Sequence, residues 1–142
     1  MTDCFPHIEV VFGIEGKNLN NKSFTEQVDI LPTSIREIDD WPDAIKNNPN
    51  LPEELQPRCV WCLSQKAELC KQIEIPVNKI IDYIKGKEQI IFDYCKKNKL
   101  KKYLCIIIHS EKMDLPALVL PSDMVSYFGK LEIEISFDLY IY

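Results

Sequence analysis

A chain of 142 residues, 46% of them hydrophobic, has room for one domain whose buried core needs no metal or disulfide staple. Its 22 acidic residues outnumber 17 basic ones for a net charge of -5, which argues against non-specific binding to nucleic acid or an anionic membrane, since both demand clustered positive charge. No run approaches the roughly eighteen apolar residues of a membrane span, and residues 1–6 lack the basic and apolar segments of a secretory signal. The expectation is therefore a cytoplasmic protein whose six cysteines are free thiols.

In chain order, Ile8, Val10, Phe12 and Ile14 alternate with His7, Glu9, Val11 and Gly13, predicting a first strand over 5–14. Gly13, Gly16, Asn18, Asn20 and Asn21 then mark a turn. Ser23-Phe24-Thr25-Glu26 has the spacing of a capping box and predicts a short helix over 24–30, closed by Pro32. A short strand fits near 34–38. Residues 39–57, with Pro42, Pro49, Pro52 and Pro57 among asparagines, read as an irregular surface loop, and loops of that length usually carry function.

Residues 58–64 predict an interior strand, with Cys59, Trp61 and Leu63 turned against Val60 and Cys62. From 76 to 98, Val77, Ile80, Ile81, Ile84, Ile91 and Cys95 recur at helical spacing and predict a long helix. Gly86 at its middle costs about 1 kcal/mol against alanine, so a kink or a break into two helices is expected there. The lysines at 96, 97, 99, 101 and 102 read as a solvated helix end. The continuously apolar 103–108 predicts a central strand covered on both faces. Ser122 is placed to cap a short helix over 123–128 that Gly129 should end.

The closing residues, 131–142, alternate without a break. Leu131, Ile133, Ile135, Phe137, Leu139 and Ile141 form a face suited to a core, and Glu132, Glu134, Ser136, Asp138, Tyr140 and Tyr142 a face suited to water. A one-residue slip would exchange the two, so the register is strongly specified. The chain thus reads as a single α+β domain, a largely antiparallel sheet with a long helix and two short helices packed on one face.

The Leu31-Pro32-Thr33 step, Trp61 in the strand that follows, the helical stretch after it and the ending Phe137-Asp138-Leu139-Tyr140-Ile141 resemble the bacterial domain-of-unknown-function family numbered 4279. The resemblance covers nearly the whole chain. It implies a small bacterial cytoplasmic domain without an established activity, in a family suited to an immunity or partner-binding role, and it supplies no catalytic residues.

Chemical constellations are sparse. Cys59-Val60-Trp61-Cys62 has the spacing of half a zinc site or of a redox motif, but a strand turns its two thiols to opposite faces. Cys105 and His109, four residues apart on one strand, share a face yet stand about 13 Å apart at about 3.3 Å per residue, too far for one to activate the other. Gly13-Ile14-Glu15-Gly16-Lys17 has glycines too close together for a phosphate loop. No enzyme, cofactor or metal site is expected. Candidate partner-binding residues are Glu132, Glu134, Asp138, Tyr140 and Tyr142 on the closing strand, with Trp41, Asp39 and Asp40 in the loop. The plain alternatives are a solvated sheet face and a tryptophan that anchors its loop. The leading expectation is a non-enzymatic bacterial interaction protein, of the immunity type that blocks a basic toxin domain. Its rivals are a small-ligand sensor with a pocket between sheet and long helix, and a zinc or thiol protein using Cys59 and Cys62.

Overall fold

Strand β1 (His7–Gly16) comes first in the chain and lies at the centre of the sheet. It pairs antiparallel with β3 (Cys59–Leu69) on one side and with β4 (Lys101–Ser110) on the other. A three-residue strand, β2 (Ser34–Arg36), adds antiparallel to β3, and β5 (Glu134–Ile141) adds parallel to β4, giving the order β2-β3-β1-β4-β5. The structure is a computed structural model that describes residues 6–111 and 114–142. Phe5, where the first strand was expected to begin, lies outside the described residues. The chain is a single α+β domain with a largely antiparallel sheet; the one parallel pair is a feature that alternation alone cannot reveal.

Five α-helices are described: α1 (Asn21–Val28), α2 (Asp43–Lys46), α3 (Glu74–Ile84), α4 (Glu88–Asn98) and α5 (Ser122–Lys130). The core forms between the sheet and α1, α3, α4 and α5, where Ile8, Val10, Phe12, Leu104 and Ile106 meet Phe24, Val77, Ile80, Ile91 and Phe128, all fully buried. Trp61 is its largest member. Phe24 meets its ring edge to face at 4.9 Å, and its indole Nε1 donates to Thr25 Oγ1 at 3.0 Å, so the one polar atom of the indole is satisfied.

Several expectations are corrected. The long helix is not one but two, and the break falls at Gly86, where a kink or break was expected: Gly86 takes φ +86 between α3 and α4, a conformation that a side chain would strain, and its amide donates to the Glu88 carboxylate at 2.8 Å. The first helix starts at Asn21 because Asn20, not Ser23, caps it, accepting from the Ser23 amide at 3.0 Å. The first strand holds Gly13, as its alternation predicted, and runs on through Gly16, so neither glycine belongs to the turn. Gly129 lies within α5, and the left-handed residue of that connection is Glu132, at φ 57. The 39–57 loop contains α2 and a 3-10 turn at Glu53–Leu55, with another at Ile38–Asp40. Strand β4 is covered on one face only: Leu104, Ile106 and Ile108 are fully buried, while Tyr103, Cys105 and Ile107 are half-buried.

The closing strand differs most from expectation. It starts at Glu134, and the apolar row reaches the core only at its beginning, through buried Leu131 and Ile133 and half-buried Ile135. Phe137, Leu139 and Ile141 are 41%, 46% and 49% exposed. They share a face with buried Ile106 and Ile108, so the apolar row runs out beyond the helices that cover the centre of the sheet.

Candidate functional site

All the core-forming helices lie on one side, so among the described residues the other side of the sheet is open, and strand pairing fixes which residues stand on it. One row crosses the sheet as Ser34, Cys62, Gly13, Tyr103 and Glu134. Beside it, toward one end, run Arg36, Val60, Glu15 and Lys101. Toward the other end come Ser64, Val11, Cys105 and Ser136, then Glu9, Ile107 and Asp138, then His7, His109 and Tyr140.

Tyr103 organises the middle. Its ring lies over Gly13, where an added Cβ would stand 2.1 Å from the ring carbon Cζ, and its hydroxyl reaches to 3.8 Å of the Cys62 sulfur. Glycine in a strand interior here marks a close approach. Burial, reinforced by the contact with Cys62, raises the Tyr103 hydroxyl well above its ordinary value, and burial likewise raises the Cys62 thiol. Both groups are neutral at physiological pH.

At the β2 edge, Trp41 is held to the sheet by donating from Nε1 to the Arg58 carbonyl at 2.7 Å. The Arg36 guanidinium lies 4.0 Å from its ring centre and that of Arg58 5.0 Å, a double cation–π arrangement, while Arg58 also pairs with Glu15. These groups, with Asp40, Cys62 and Tyr103, line a cleft of about 540 Å³. Asp40 is partly committed, since its carboxylate accepts from the Glu37 amide at 2.7 Å. Asp39 is exposed in the same 3-10 turn, and its carbonyl accepts from Lys46.

At the β5 edge, Asp138 lies 3.7 Å from the Cys105 sulfur and Glu134 pairs loosely with Lys101 at 3.7 Å. Tyr140 stacks on His109 with ring centres 4.7 Å apart, and the Tyr142 hydroxyl meets His109 Nδ1 at 2.9 Å. Glu134, Asp138, Tyr140 and Tyr142 therefore stand together on the open face, and Trp41 and Asp40 border the same face across the sheet. Glu132 does not join them. It occupies the turn after α5, where its amide donates to the Gly129 carbonyl.

The two thiols of the C-x-x-C point to opposite faces, as strand geometry requires: Cys62 to the open side, Cys59 to the helix side beside Glu37. Burial first, then Glu37, raises the Cys59 thiol. Among the described residues no three His, Cys, Asp or Glu side chains gather as a metal site requires. The space expected to hold a ligand, between the sheet and the long helix, is filled by Ile8, Val10, Val77 and Ile80. Sequence reasoning missed Arg36, Arg58 and Tyr103, and weighed Gly13 and His109 only for other chemistry. Alternation about Gly13 and Tyr103 was the available signal, since it puts both on the face opposite Phe12 and Leu104.

A family model described as a domain of unknown function (DUF4279) matches residues 6–142, and the chain belongs to that family. No curated protein and no solved structure matches it. Among the described residues no helix is long and apolar enough to cross a membrane.

Proposed function

We propose that the chain is a non-enzymatic bacterial interaction protein that docks a basic protein on its open sheet face, as an immunity-type inhibitor would dock a toxin domain. One observation carries the reading: carboxylates and tyrosines, the side chains suited to meeting a basic surface, stand in a row on the face away from the core-forming helices among the described residues. Tyrosines lose little entropy when ordered at an interface, and Glu134 and Asp138 would steer a cationic partner. The raised thiols on this face are poor nucleophiles, which suits a binding surface better than a covalent catalyst. On this reading the protein works in the cytoplasm, and it needs neither cofactor nor metal.

The test uses Glu132 as an internal control, because it carries the same charge but lies off the row. A Glu134→Lys, Asp138→Lys double variant and a Glu132→Lys single variant are first shown by circular dichroism to fold. Each is then used, beside the wild type, to capture proteins from source-cell lysate. The expected result is a basic protein retained by the wild type and by Glu132→Lys, and lost with the double variant. Retention by all three would remove the β5 row from the site, and an empty capture with wild type would remove the docking reading.

A second reading rests on the cleft beside Trp41. Its stacked guanidinium groups and its volume fit a small anionic ligand. Thermal-shift screening with small carboxylates and phosphates discriminates the two: stabilisation abolished by Arg36→Ala would favour the ligand.

A further inference from the structure

We infer that β5 pairs antiparallel with the β5 strand of a second copy of this chain, about a two-fold axis at Phe137, joining two sheets into one. The inference is independent of what docks on the open face. The two edges of the sheet are unlike. The β2 edge is three residues long, with Trp41 and its loop beside it. The β5 edge is eight residues long, contains no proline or lysine and follows β4 without a bulge, so of the devices that commonly keep edges unpaired it has only the charges of Glu134 and Asp138, which oppose pairing in the registers that bring them together.

The direction of its free hydrogen-bonding groups follows from one contact. The Tyr142 amide donates to the Ser110 carbonyl of β4. Backbone groups alternate along a strand, so the even-numbered residues of β5 face β4, while Ile135, Phe137 and Leu139 turn their amides and carbonyls outward. Among the described residues no backbone partner outside the sheet meets these groups. The same three residues belong to the apolar row that leaves the helices behind.

Charge selects the register. A register that keeps apolar opposite apolar leaves only a few symmetric choices. An axis at Asp138 opposes that carboxylate to its own copy, and an axis at Ser136 opposes Glu134 to Asp138. An axis at Phe137 opposes Ser136 to Asp138 and Glu134 to Tyr140, with Phe137 on Phe137 and Ile135 on Leu139 across the other face. It is the longest register in which no two carboxylates meet, and like charges directly opposite are destabilising. Each copy offers the same patch, as a closed two-fold dimer demands. The open faces then lie side by side as one surface of double width.

Sedimentation equilibrium of the wild type should give twice the 16.6 kDa of the chain, and hydrogen exchange should show the Ile135, Phe137 and Leu139 amides protected. Phe137→Lys should yield a folded monomer in which those amides exchange quickly, while Val119→Lys, exposed but off the strand, should stay dimeric. Ser136→Lys should tighten the dimer a few-fold by facing Asp138, and Ser136→Glu should loosen it by a similar factor. A wild type that is monomeric at every concentration overturns the inference, as does a dimer that Phe137→Lys leaves intact. Should Phe137→Lys fail to fold, the Ser136 pair decides alone: equal affinities for the two variants would exclude the register.

Discussion

The two faces of the sheet are built from the same strands and differ in what they are for. On the helix side, Ile8, Val10, Phe12, Leu104, Ile106 and Ile108 are sealed against four helices. On the open side, their immediate neighbours Val11, Tyr103, Cys105 and Ile107 are only half-buried, and charged and aromatic residues are interspersed among them. The difference teaches where stability and recognition are stored. Removing a methylene from the sealed face leaves a cavity, whereas on the open face water or a partner fills the space.

Adjacent isoleucines give the largest contrast. Ile106→Ala should destabilise the fold by about 2–5 kcal/mol, the range for deleting a fully buried aliphatic side chain, and Ile107→Ala by well under half of that. Urea unfolding of the two variants measures the gap, and equal losses would show that the open face is sealed in solution. Next in size is Gly13→Ala. The added Cβ must displace the Tyr103 ring, an overpacking cost of about 1–3 kcal/mol. In a Tyr103→Ser background most of that cost should vanish; if it persists in the double-mutant cycle, the strain is in the backbone and not in the ring.

The smallest effect is a pH dependence that Tyr103 adds on the open face. The Tyr103 hydroxyl has a folded pKa raised above the ordinary 10.0 by burial and by Cys62. Its contribution to stability is therefore complete below pH 10 and is lost as the pH rises from there toward the folded value. Tyr103→Phe should flatten the alkaline limb of a plot of unfolding free energy against pH. An unchanged limb would assign alkaline instability to other groups.

Much of the helix-side face was legible, because a period of two in β1 and β3 and a period near 3.6 across α3 and α4 name the residues that share a face. What periodicity cannot say is whether anything lies against that face. Phe137, Leu139 and Ile141 have the same pattern as Ile8, Val10 and Phe12, and only the reach of the helices separates a core row from an exposed one. Gly13 was read two ways for a related reason: alternation put it in the first strand and its residue type in a turn, because the ring that requires its small size comes from Tyr103, far along the chain. Ser23 and Asn20 are both competent caps, and the backbone chose the earlier. In the candidate site, Asp138, Tyr140 and Tyr142 were placed correctly on the side away from the core by alternation. Glu132 failed because the strand begins at Glu134, three residues after the pattern does.

The central place of β1 also governs how the chain must fold in time. One neighbour of β1 arrives with Cys59–Leu69 and the other only with Lys101–Ser110, so His7 must find His109 across most of the sequence. Such non-local closure is entropically slow, and refolding should run in milliseconds to seconds, a rate that stopped-flow fluorescence of Trp61 can follow. During synthesis β1 leaves the ribosome long before its second neighbour exists, with the row from Ile8 to Ile14 ready to join any passing strand. A nascent chain halted before β4 should therefore be bound by chaperones, and one halted after it released.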